Sequence, residues 1–205
     1  RKNSKQNLAD LQKNLIERHA RAGELAYLLE PDLKEARGGL RDIQALRAIS
    51  LSAVVPVPLE KISWAEGTLN NVRESLHIAS GRGKDRLLFQ EQDKVAALLE
   101  YPDADAMMSD VARAARSVDY LLDYTWHWLE HKGKDGLGRI LKRPRITTVA
   151  KNVSASNREI VIDPLTSLND DPVVGLRAAA TGAQLGLPLS LDTCIEISEN
   201  LKKGD

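Results

Sequence analysis

The sequence predicts a mainly α protein: an antiparallel helical bundle with one long helix at about 104–131 and a minor β-hairpin at about 146–162. Three observations predict it. Apolar residues recur at helical spacing through most of the first 131 positions. A Gly- and Pro-marked change of composition follows Lys132, at Gly133, Gly136, Gly138 and Pro144. Two short β-branched runs, Ile146-Thr147-Thr148-Val149 and Ile160-Val161-Ile162, lie beyond it, separated by Ser154-Ala155-Ser156-Asn157.

The elements follow in order. Residues 5–22 place Leu8, Leu11, Leu15, Ile16 and Ala22 near one helical face, with Ser4 available as a cap. Leu25 to Leu29 is a short apolar run closed by Glu30-Pro31. Because proline disfavours the helical region for the residue before it, an extended segment is expected there. After Gly38-Gly39, Leu40, Ile43, Leu46 and Ile49 form one stripe of a helix over about 40–50. Pro56 and Pro58 stiffen the connector that follows. Ser63 and Glu66 have capping-box spacing and open a helix carrying Leu69, Val72, Leu76 and Ala79, which stops at Gly81. A basic loop leads to a helix over about 90–100. The long helix then carries Met107, Met108, Val111, Ala114, Ala115, Val118, Leu122, Trp126 and Leu129. Asp171-Pro172 predicts a capped helix start running to about Leu185, and Ser190 opens a last helix to about Lys203.

Bulk properties bound the function. The chain has 205 residues, 42% of them hydrophobic, enough for one large domain or one with an appendage; we expect a helical domain at 1–135 and a hairpin with two helices at 136–205. Twenty-nine basic side chains balance 29 acidic ones, so no global field draws in nucleic acid or an anionic membrane. The single cysteine, Cys194, excludes an intrachain disulfide framework and fits a reducing cytoplasm. No apolar run reaches the roughly 18 residues of a membrane span. A start at Arg1 and an end at Lys202-Lys203-Gly204-Asp205 read as a piece of a longer protein.

Two segments carry the chemistry. The first runs Leu29-Glu30-Pro31-Asp32-Leu33-Lys34-Glu35-Ala36-Arg37-Gly38-Gly39-Leu40-Arg41-Asp42-Ile43. Two glycines before a helix let backbone approach a ligand, and a helix start offers unpaired N–H groups to an anion. Lys34, Arg37 and Arg41 add cations, and guanidinium suits bidentate contact with phosphate. The same residues also make a tight turn with Arg41 and Asp42 paired locally, and Asp42 suits the positive end of the helix dipole. The second segment is His77, then Gly81-Arg82-Gly83-Lys84-Asp85-Arg86-Leu87-Leu88-Phe89, then Gln92. It reads either as a phosphate or partner contact or as a solvated loop between helices.

Together, E-P-x-x-K-x-x-x-G-G-L-R-D-I after a long helix, then H-x-x-x-G-R-x-x-D-R-L-x-F-x-x-Q, resemble the bacterial PII-protein uridylyltransferase/uridylyl-removing family. The resemblance covers roughly residues 1–131 and extends more weakly to the end. It implies a helical domain placed after a nucleotidyltransferase core and before an HD phosphohydrolase domain and ACT domains. It further implies that the parent uses Mg²⁺ to transfer UMP or AMP from UTP or ATP to a tyrosine of the PII signalling protein, in nitrogen regulation. Neither the core's G-S…D-x-D before residue 30 nor a His-Asp pair occurs, so the chain is expected to be inactive alone, with no catalytic residue and no metal of its own. By the resemblance, Lys34, Gly38, Gly39, Arg41 and Asp42 would lie near the nucleotide, while Arg82, Asp85, Arg86 and Gln92 would hold helices together or meet a partner; Arg37 and Lys84, read from their charge beside these motifs, are expected to join the first and second group. The Ala- and Arg-rich stretch from Val173 to Ala180 resembles high-GC actinobacterial members, which keeps AMP as a donor open. The alternatives are a glutamine-synthetase adenylyltransferase domain and a non-catalytic helical interaction module.

One competing motif is His127-Trp128-Leu129-Glu130-His131, an H-x-x-E-H zinc pattern. It falls at the end of the long helix, where histidines are favoured without metal. Met107-Met108, Trp126/Trp128 and Cys194 read as packing residues.

Overall fold

The computed structural model describes residues 2–52, 54–55, 57–132 and 146–201. Residues 133–145 include the breakers Gly133, Gly136, Gly138 and Pro144; these, with Pro56 and Lys203, lie outside the described residues. The chain divides into two compact units, Arg1–Lys134 and Asp135–Asp205. It is mainly α, with a small antiparallel sheet. Among the described residues no helix is long and apolar enough to cross a membrane.

The first unit holds α1 (Lys2–Ala22), α2 (Leu40–Leu51), α3 (Ser63–Ser80), α4 (Phe89–Leu98) and α5 (Ala104–Lys132). Helix α5 organises it. Met107, Val111, Ala114, Ala115, Val118, Leu121, Leu122 and Thr125 recur every three or four positions and are buried. That stripe packs against α2, α3 and α4, where it meets Ile43, Leu46, Leu69, Leu76 and Val95 in one core. Each fully buried leucine here contributes about 2–5 kcal/mol against truncation to alanine. The buried Thr125 Oγ1 donates to the Leu121 carbonyl at 2.7 Å, so the stripe's one hydroxyl leaves no unmet donor.

Several local expectations are revised. Helix α1 begins at Lys2, so Ser4 lies inside its first turn rather than ahead of it. Ile16, expected on the buried face, is exposed, and Leu15 is the buried anchor. The run from Leu25 is a 3₁₀ turn over Leu25–Tyr27, with Leu28 extended after it and a bend at Leu29 and Glu30. The backbone pairing falls one residue earlier, between Glu24 and Arg37, while Tyr27 N–H is satisfied locally by the Glu24 carbonyl. The Ser63–Glu66 capping box does not form. A 3₁₀ turn, Leu59–Ile62, leads into α3, so Ser63 Oγ donates back to the Glu60 carbonyl and Glu66 pairs with Arg47.

In the second unit, β1 (Thr147–Ala150), β2 (Val153–Ser156) and β3 (Glu159–Ile162) form a sheet in that order, with α6 (Val174–Leu185) and α7 (Leu191–Leu201). The expected hairpin is therefore a three-stranded meander. Val153 and Ser154 are buried, and Ser156 pairs with Glu159. The loop is only Asn157-Arg158, both at positive φ, a two-residue turn matching the twist of antiparallel strands. The core is Val153, Ile160, Ile162, Leu168, Val174 and Ala178. Asp171 does not cap α6 through its side chain. The helix starts at Val174, and the Asp171 carboxylate instead takes hydrogen bonds from Arg177 and Asn152. Ser190 does cap α7, its Oγ accepting from Thr193 N–H at 3.2 Å.

Candidate functional site

The two motif segments fold onto each other. Leu33 N–H donates to the Asp85 carbonyl at 2.8 Å and Leu87 N–H to the Pro31 carbonyl at 2.9 Å, a short antiparallel bridge centred on Asp32 and Arg86. Gln92 is buried and donates from Nε2 to the Leu29 carbonyl at 2.7 Å. Glu30 accepts from Phe89 N–H at 3.1 Å, closing the start of α4, and pairs with Arg86 at 3.4 Å. Residues about 55 apart in sequence thus share one backbone-bonded structure.

Within the first motif, Asp32 Oδ1 accepts from Lys34 and Glu35 N–H, turning the chain so that Leu33 and Ala36 point inward. The bend at Gly38-Gly39 is sealed. Gly38 sits at φ 84°, and a Cβ there would lie 2.6 Å from the Ala115 carbonyl oxygen of α5. A Cβ on Gly39 would meet the carbonyl oxygens of Ala36, Leu33 and Lys34 at 2.8–2.9 Å. Only glycine fits either position.

This corrects the anion-cradle expectation. The amides of Gly39, Leu40, Arg41 and Asp42 donate to the carbonyls of Ala36, Leu33, Lys34 and Gly39, and Gly38 N–H donates to Asp42 Oδ2 at 2.7 Å. No N–H at the start of α2 is left for an external phosphate. The anion at this helix start is Asp42 itself, whose side chain is fully buried. Arg18 of α1 donates to it at 2.5 Å and His19 Nε2 lies 2.9 Å away. Arg18 also donates to the Glu35 carbonyl, tying α1 to the motif. Burial opposes ionisation of Asp42, but the His19 hydrogen bond and the charge of Arg18 outweigh it and hold the carboxyl below its ordinary range.

The motif's cations are also engaged. Arg37 donates to Asp119 at 2.5 Å and to Asp123 at 2.7 Å, both on α5, and is held more basic than usual by Asp119. Burial pushes the Asp119 carboxyl up in spite of that hydrogen bond. Lys34 Nζ stands 3.6 Å from Asp85. Arg41 is the exposed one, 47% accessible, with Glu35 and Gln44 as surface partners.

In the second motif, Asp85 receives Arg73 Nε at 2.6 Å and His77 Nε2 at 2.9 Å. Burial would raise its carboxyl, yet those hydrogen bonds and the charges of Arg73 and Lys34 bring it below the usual range. Arg82 and Lys84 are exposed. The functional side chains not anticipated from sequence are Arg18, His19 and Arg73. They lie on helices with no local motif, and only their pairing, Arg18 and His19 with the buried Asp42 and Arg73 with the half-buried Asp85, exposes them. Among the described residues no three His, Cys, Asp or Glu side chains converge as a metal site. His127 and Glu130 lie in the last turns of α5, where Glu130 accepts from Gln12.

The two motifs thus form one backbone-bonded feature of the first unit, and comparison with known proteins finds the same region. The sequence profile described as GlnD PII-uridylyltransferase matches residues 6–55 and 52–126, taking in both motifs. The bifunctional uridylyltransferase/uridylyl-removing enzyme of Streptomyces coelicolor is 42% identical over 203 residues, covering 89% of this chain and 23% of that protein. The enzyme of the same name from Mycobacterium tuberculosis H37Rv is 31% identical over 193 residues, covering 90% of this chain and 24% of its own length. That of Azotobacter vinelandii strain DJ is 41% identical over 106 residues, or 45% of this chain and 12% of the relative. The chain spans about a quarter of the first two relatives' length. No solved structure matches it. With more than half of its length matched by the family profile, the chain belongs to the GlnD PII-uridylyltransferase family.

Proposed function

We propose that this chain is the helical accessory domain of a cytoplasmic enzyme that transfers UMP from UTP to a tyrosine of the PII signalling protein. The observation that carries the reading is the match of the family profile across both docked motifs, joined to 42% identity with a bifunctional uridylyltransferase/uridylyl-removing enzyme. The similarity to uridylyltransferases favours UMP over AMP.

In this reading the domain is a buttress. Its internal carboxylate–arginine pairs fix the two motifs rigidly, and the nucleotide chemistry belongs to a neighbouring domain of the parent. Magnesium would supply phosphate charge neutralisation there. The described residues of this chain offer no convergent donor set for it, so no step runs through them. Of the first motif's cations, Lys34 and Arg37 are committed to Asp85, Asp119 and Asp123. Arg41 carries only exposed partners and is the side chain that would turn toward a nucleotide phosphate.

Labelled UTP incubated with PII tests the proposal. The full-length protein containing this segment is expected to label PII, and the 205-residue chain alone to label none. Transfer by the chain alone overturns the accessory role. Full-length protein that binds PII without transfer supports a non-catalytic docking module instead. In the full-length enzyme Arg41→Ala is expected to raise the KM for UTP, and unchanged kcat and KM remove Arg41 from the nucleotide side.

A further inference from the structure

The segment joining α3 to α4 has a side that the folded chain does not use. Arg82 lies in a bend, and from Lys84 to Leu87 exposure alternates with period two around the bridge residue Arg86. Leu87 is fully buried and Asp85 faces Arg73 and His77, while Arg82, Lys84 and Arg86 are exposed. At about 7 Å per two residues of extended chain, Lys84 and Arg86 stand about 7 Å apart, with Arg82 exposed at the bend before them, where its amide and carbonyl meet Ser80 Oγ. Arg86 has only the long contact to Glu30, and among the described residues Arg82 and Lys84 have no ion pair.

The backbone shows the same one-sidedness. On the inner edge, the Asp85 carbonyl and Leu87 N–H are bonded to Leu33 and Pro31. In an antiparallel pair of this kind the intervening residue directs its own N–H and C=O to the opposite edge. Among the described residues no hydrogen bond engages the amide or carbonyl of Lys84 or Arg86. Leu29 and Phe89, 68% and 63% exposed, stand beside this edge, joined to it through Glu30 and Gln92.

We propose that the outer edge of residues 84–86 is a docking strand for an acidic, extended segment of a protein partner, which adds to the Pro31–Leu33 bridge as a further strand, with Arg82 as a cation at its end. The cations select a segment with carboxylates at alternate positions, which an added strand would place on the same face as Lys84 and Arg86. The open carbonyls select a peptide over a nucleic acid. They require donors at regular spacing, which peptide N–H groups supply and a phosphodiester backbone does not. Leu29 and Phe89 offer apolar contact at the end of the strand. The proposal goes beyond the transferase reading and does not depend on it.

The test uses the 205-residue chain and a fluorescein-labelled peptide alternating Glu with Thr, read by anisotropy at low salt. Three controls accompany it: the same peptide with alternate backbone nitrogens methylated, an oligothymidylate of equal charge, and the double variant Arg82→Glu/Lys84→Glu. The expected result is saturable binding of the peptide, weakened about tenfold or more by the double charge reversal and comparably by backbone methylation. Thermal melting of the variant is expected to match the parent, since both side chains are exposed. Peptide affinity unchanged in the double variant overturns the proposal, as does an oligothymidylate that binds as tightly as the peptide. Methylation without effect overturns the added-strand geometry. Amide resonances of Lys84 and Arg86 that fail to shift on peptide addition overturn it independently of any variant.

Discussion

In the first motif Asp42 takes an arginine and a histidine from a neighbouring helix, and in the second Asp85 does the same. Their side chains differ in exposure, 0% against 13%. Asp42 is enclosed by Arg18, His19 and the Gly38 amide, and every backbone donor around it is spent. Asp85 sits at a rim, with Lys34 as a loose third cation and Lys84 and Arg86 facing solvent on either side of it. The same donor set therefore does different work. Enclosed, it fixes how the chain enters a helix; at the rim, it anchors a segment whose other face stays available.

The contrast can be broken first at Asp42. Asp42→Ala leaves Arg18 buried without its carboxylate, which costs about 3–5 kcal/mol when one partner of a buried pair is removed. Urea unfolding measures it, and a loss near 1 kcal/mol would show that the enclosure is not structural. Gly38→Ala comes next. A Cβ against the Ala115 carbonyl at positive φ is expected to cost about 3 kcal/mol, from overpacking and left-handed strain together. Asp85→Ala should cost less, about 1–2 kcal/mol, because its partners can turn to water. Equal losses at the two aspartates would erase the distinction.

Acid unfolding sharpens the comparison. Asp42 and Asp85 have folded pKa values below their unfolded ones, so each contributes stability that is present above the ordinary carboxylate range near pH 4 and is lost as pH falls through the folded value. Asp119 is raised in the fold, so its contribution is complete below that range and fades as pH rises through the folded value. Asp119 thus offsets part of the acid loss. Asp119→Asn is expected to make stability fall more steeply as pH drops through the ordinary carboxylate range near pH 4. A shallower slope would refute the sign. The smallest effect belongs to Arg41→Ala, within about 0.5 kcal/mol by thermal melting, because both its partners are exposed.

These differences mark how far sequence could be read. Helices α2, α3 and α5 were legible because their apolar residues keep the helical period against one core. The β meander was only half legible. Val153-Ser154-Ala155-Ser156 is polar enough to pass for a loop, and its strand character comes from pairing on both edges. The motif residues were visible as a cluster, but their roles were not. Gly-Gly before a helix carries the same signature whether its amides face a ligand or an internal carboxylate. What decides is Asp42, four residues past Gly38, turning back to Gly38 N–H, together with Arg18 and His19 from a helix some 24 residues upstream. No periodicity records that encounter.

Helix α5 has one further consequence. The Gly38 bend bears on Ala115, which lies about 16 Å from the start of a rod of 29 residues and about 26 Å from its end, at 1.5 Å per residue. That contact is glycine against backbone, with no side chain to yield. Any tilt of the rod about that point would carry its Lys132 end about half as far again as its Ala104 end, and in the opposite direction.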